Sequence, residues 1–61
     1  MRMEIEFNMD NAAFEEAPEE EVNRILNVIG SKVMNGFVGG AIHDVNGNNI
    51  GNWDIWLEEE E

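Results

Sequence analysis

The stretch Asp44-Val45-Asn46-Gly47-Asn48 places side-chain oxygens at its first, third and fifth positions, the spacing with which a calcium loop begins. Such a loop then needs glycine at its sixth position and a bidentate glutamate at its twelfth, where this chain has Asn49 and Ile55. Turn chemistry accounts for Asp and Asn here without an ion, because both side chains bond their own backbone two residues on. His43 beside Asp44 has the composition of an acid–base pair. Neighbouring strand residues point to opposite faces, however, so these two should not meet. His43 would instead look across a hairpin toward Asn52 or Asp54. Ser31 stands on the polar side of a helix with no base beside it. Gly39-Gly40 falls inside a strand instead of opening a helix, so it makes no phosphate cradle. There is no cysteine, and His43 is the one histidine, too few ligands for a zinc site without several carboxylates. These residues point away from an enzyme and imply no metal and no cofactor.

The elements that would position them are legible from periodicity. Residues 1–7 alternate Met1, Met3, Ile5 and Phe7 with Arg2, Glu4 and Glu6, the period of a half-buried strand. Residues 8–17 read as a connection in which Asp10 caps a short turn and Phe14 is pinned to the edge of the core. Pro18 suits the first turn of a helix, and Glu19, Glu20 and Glu21 favour its positive end. The helix runs over 18–35. Val22, Ile25, Leu26, Ile29 and Val33 form its apolar stripe, and Gly36 stops it. Gly30 suggests close approach to a sheet. Residues 37–45 and 48–57 flank Asn46-Gly47, a strong hairpin signal. With those two residues as the loop, His43 pairs with Ile50, Ile42 with Gly51, Gly40 with Trp53 and Val38 with Ile55.

The expected fold is α+β with order βαββ: one helix packed on a three-stranded, mainly antiparallel sheet. The helix covers Ile5, Ile42, Trp53 and Ile55. The last strand lies in the middle, which makes every neighbour antiparallel and lets a right-handed crossover join the first two strands. The alternative order puts the second strand in the middle, with one parallel pair. Residues 1–57 form the single domain, and 58–61 are an acidic, disordered tail. A 61-residue chain buries little surface, so it needs good packing or self-association.

The formal charge is −11, from 14 acidic and three basic residues. It is uneven: residues 1–21 carry eight acids against Arg2, whereas 22–57 balance Asp44 and Asp54 with Arg24 and Lys32. Such a chain is a poor ligand for nucleic acid or an anionic membrane, and it favours a basic protein surface. An apolar fraction of 43% supports a folded core instead of an acidic disordered segment. No apolar run reaches the length of a membrane span, and the N-terminal alternation is not a signal peptide. A cytoplasmic protein is expected.

Two surfaces are therefore candidates for binding a partner. One is acidic and includes Glu15, Glu16, Glu19 and Glu20. The other is the sheet face away from the helix, expected to carry Phe37, Ala41, His43, Ile50, Asn52, Asp54 and Trp56. There Phe37, Ile50 and Trp56 would form an apolar patch of the kind that marks an interface, including a homodimer.

The segments Asp10-Asn11-Ala12-Ala13-Phe14-Glu15 and Asp44-Val45-Asn46-Gly47-Asn48-Asn49-Ile50-Gly51-Asn52-Trp53, with the Arg24-Ile25-Leu26 helix between them, carry a resemblance. The chain resembles a group of small acidic bacteriophage and prophage proteins over nearly its whole length. Small acidic phage proteins of this general kind include anti-CRISPR and other anti-defence inhibitors. The resemblance implies a phage-encoded inhibitor of a host defence or nucleic-acid-handling protein, working in the host cytoplasm. It assigns no site residue.

Overall fold

The computed structural model describes residues 1–57, and the acidic stretch 58–61 expected as a tail lies outside them. The order is βαββ: β1 (Arg2–Phe7), a 3-10 turn (Ala12–Phe14), α1 (Pro18–Met34), β2 (Gly39–His43) and β3 (Asn49–Trp56). The sheet order is β1-β3-β2 and both pairings are antiparallel. The last strand is central, the order expected, and the alternative with the second strand in the middle is not the one adopted.

The helix begins at Pro18, whose missing N–H falls where no intrahelical bond is available, with Glu19, Glu20 and Glu21 in the first turn. It ends in a Schellman motif. Phe37 N–H donates to Lys32 O and Gly36 N–H donates to Val33 O, both at 3.0 Å, with Gly36 at φ +92°.

Phe14, Ile25, Ile29, Ile42 and Trp53 form the buried core, with Phe7, Ala13, Val22, Ile50 and Ile55 packed around it. Phe14 is not at the core edge but within it, stacked on Phe7 at 6.1 Å between ring centres. Its turn is not capped by Asp10. Asn11 holds the N-cap position and makes no side-chain cap bond there.

Three further expectations are corrected. The hairpin loop has three residues, not two: Asp44 N–H donates to Asn48 O at 2.9 Å and Gly47 N–H to Asp44 O at 3.0 Å. Gly47 sits at φ +88°, the conformation such a loop needs at its last residue. The register nevertheless agrees from Gly39 to Ile42, with Gly40 opposite Trp53 and Ile42 opposite Gly51. The difference is absorbed by an irregularity after Ile42, where His43 pairs with Asn49 and Ile50 becomes the extra residue. The helix stripe is also rotated. Glu21, Ile25 and Ile29 are its buried residues, while Leu26 and Val33 remain exposed. Finally, a Cβ on Gly30 would meet nothing within 4 Å, so this glycine serves no close approach.

Candidate protein-binding surfaces

The α1 N-terminus and the hairpin tip are joined by a polar knot. Glu21, one turn before Ile25 on the buried line, accepts both Arg24 Nε (3.0 Å) and an Arg24 terminal nitrogen (2.8 Å). It also accepts the Val45 N–H at 2.9 Å. The same Arg24 terminal nitrogen donates to His43 O at 2.9 Å. The Arg24 guanidinium holds the Glu21 carboxyl below its ordinary range, against the opposing push of burial. Burial pushes Asp44 upward, but the N–H groups of Asn48, Asn46 and Asn11 outweigh it and its carboxyl is lowered.

Asp44 Oδ1 accepts the backbone N–H of Asn46 and Asn48, and Oδ2 accepts the side-chain amides of Asn11 and Asn48. Both oxygens are thus engaged by donors of the chain itself. Asn11 Nδ2 reaches Asp44 at 2.6 Å, leaving its own Oδ1 buried with no partner among the described residues. The position of Glu21 in a run of three glutamates at the helix start accounts only for its favourable charge there and gives no sign of its buried role. The available signals were its i,i+3 spacing to Arg24 and its i,i+4 spacing to Ile25.

The expected acidic residues divide. Glu15, Glu16 and Glu20 line one shallow depression with Ala12, Ala13 and Ala17, floored toward Glu21 and Arg24. Glu19 lies on another side of the helix start, beside Met9, Val22 and Leu26. All four are exposed. Arg24, the cation nearest the depression, is committed to Glu21 and His43 O.

The uncovered sheet face carries a polar row instead of an apolar patch. Arg2, Glu4 and Glu6 lie opposite Trp56, Asp54 and Asn52 respectively. Arg2 pairs with Glu4 and stands 5.1 Å from the Trp56 ring centre, so Trp56 is partly roofed by a cation.

Phe37 precedes β2 and packs beside the helix end, with Lys32 Nζ 5.8 Å from its ring centre. Ile50 is half-buried against the core at the other end of β3, where Asn8 N–H donates to its carbonyl. Ile50, packed on the core at the far end of β3, is therefore separated from Trp56. The register shift after Ile42 moves Ile50 away from the position that plain alternation gives it.

No helix among the described residues is long and apolar enough to cross a membrane. No family model matches the chain, and no curated protein or solved structure matches it either.

Proposed function

We propose that this protein is an acidic protein-binding module that occupies a basic surface of another protein. A phage-encoded inhibitor of a host defence or nucleic-acid-handling protein would act in this way. The observation that carries the reading is the depression lined by Glu15, Glu16 and Glu20. Three exposed carboxylates converge there beside a guanidinium already held by Glu21, so the local field is left negative. Complementary charge of this kind steers encounter with a cationic partner and excludes nucleic acid.

Affinity capture from host lysate at about 0.05 M and about 0.5 M salt tests it. The wild type should retain a basic protein that high salt releases. The Glu15→Lys/Glu16→Lys/Glu20→Lys variant, folded by circular dichroism, should not retain it. Equal capture of the same protein by the variant sinks the reading.

A further inference from the structure

The sheet has two edges, and they differ. At the β2 edge, Arg24 takes the His43 carbonyl, and the strand is only five residues long with two glycines. β1 is six residues long, pairs among the described residues only with β3, and has neither proline nor bulge to blunt its edge, its charges Arg2, Glu4 and Glu6 all lying on one face.

The direction of the free groups follows from parity. Asn8 N–H bonds Ile50 O, continuing the register in which Arg2, Glu4 and Glu6 face Trp56, Asp54 and Asn52. Antiparallel ladders alternate, so Arg2, Glu4 and Glu6 direct their main chain toward β3. Met3 and Ile5 direct theirs outward, from the edge.

The side chains of those same outward residues lie on the helix side, yet the helix does not cover them. Its buried line rests on Ile42 and Trp53, toward β2. Met1, Met3 and Ile5 are consequently 83%, 43% and 39% exposed. The helix flank away from β2 adds exposed Leu26 and Val33. One edge therefore presents main-chain donors and acceptors together with an apolar row, and the opposite face of the strand bears Arg2, Glu4 and Glu6 in order.

That charge order selects an occupant. We propose that β1 pairs antiparallel with β1 of a second copy about a two-fold axis at Met3, closing a dimer with a continuous six-stranded sheet. In this register Met3 opposes Met3, Met1 opposes Ile5, and Arg2 of each copy opposes Glu4 of the other. Sliding by two residues keeps Arg2 opposite a glutamate, Glu6, but adds the like pair Glu4 against Glu4, which the Met3-centred register lacks. Sliding by four sets Glu4 against Glu6. Like charges directly opposite are destabilising and opposite charges stabilising, so the Met3-centred register is preferred. Odd slips would put Arg2 on the face of Ile5 and are excluded by the pleat. Each copy brings a charge of −11, so screening by salt tightens the dimer. This response is the reverse of that expected for a basic partner, and the dimer does not depend on the partner-binding reading.

Sedimentation equilibrium on the 6.9 kDa chain tests the proposal. The wild type should be dimeric at about 0.1 mM in about 0.15 M salt, and more so at about 0.5 M. Met3→Pro removes an outward N–H and no β1–β3 bond, so it should give a monomer with unchanged circular dichroism. Arg2→Glu should weaken the dimer about tenfold, the combined effect of two lost cross-strand pairs and two new repulsions. Arg2→Glu/Glu4→Arg should restore it. A wild type that stays monomeric at about 1 mM, or an Arg2→Glu chain that dimerises as tightly as the wild type, overturns the proposal.

Discussion

Glu21 on the first turn of α1 accepts the main-chain N–H of Val45 at 2.9 Å, which ties the helix start to the tip of the β2–β3 hairpin. Both residues belong to segments that sequence patterning treats as solvent-facing: a run of glutamates and a turn. Their contact converts one of those glutamates into a buried structural anion, paired with Arg24 and linked through it to His43 O.

That relationship predicts the acid response of the fold. Glu21 and Asp44 both have lowered carboxyl pKa values, from ordinary values of 4.5 and 3.8. A depressed folded pKa means that the unfolded chain binds protons first, so stability is fully present above the ordinary values and falls as pH drops through the folded ones. The melting temperature should be level with respect to these two groups above about pH 5 and decline below about pH 4.5. Glu21→Gln should lower stability at pH 7 by about 1 kcal/mol or more and make the acid decline shallower. A decline as steep as the wild type's would remove Glu21 from the account. Thermal denaturation followed by tryptophan fluorescence across pH 2.5–8 makes the comparison.

Two glycines should respond in opposite directions to the same substitution. Gly30 lies inside α1 with open space where its Cβ would be. Gly30→Ala should therefore stabilise by about 1 kcal/mol, through helix propensity and loss of unfolded-state freedom. A Cβ on Gly51 would fall on the Glu6 carbonyl oxygen and 2.6 Å from Phe7 Cα, both backbone atoms of β1. Gly51→Ala should push β1 off β3 and lower stability by several times that amount. Urea titrations of the two variants against the wild type measure both effects.

Trp53 is 1% exposed at the centre of the middle strand, opposite Ile5 on one side and Gly40 on the other. Trp53→Ala removes the largest side chain of a core with only five buried apolar residues among those described. The expected cost is about 3–5 kcal/mol. A domain this small has little more than that in total, so the variant should be unfolded at 25 °C. Collapsed amide dispersion in a proton–nitrogen correlation spectrum would show it, and a native-like spectrum would contradict it.

Patterning served the three large elements well. The alternation over residues 1–7, the start at Pro18, the stop at Gly36 and the pairing of Gly40 with Trp53 all reappear in the structure. It served the binding surfaces less well. Ile50 lost its expected place because Asp44 gathers the N–H groups of Asn46 and Asn48 and lengthens the loop by one residue. Phe37 precedes β2, and its N–H closes the helix C-terminus at Lys32, a role that strand patterning does not give it. Glu15, Glu16, Glu19 and Glu20 looked like one group because they are close in the chain. The turn of the helix places Glu19 elsewhere.

The order of the amino acids was sufficient for the βαββ succession and the concentration of charge toward the chain ends, and it favoured a central β3 over a central β2, a choice that the structure decides. Period two, period 3.6 and turn chemistry are local properties, and one helix over three strands leaves few ways to connect them. The rotation of α1 that buries Glu21 and leaves Leu26 exposed was decided only by the fold, as were the shift after Ile42 and the placing of β1 at an edge of the sheet. Each depends on which distant atom meets a polar group: Val45 N–H for Glu21, Asn11 for Asp44, and, among the described residues, no further strand for the outward main chain of Met3 and Ile5. Such long-range satisfaction has no period along the sequence and can be read only when the elements are packed together.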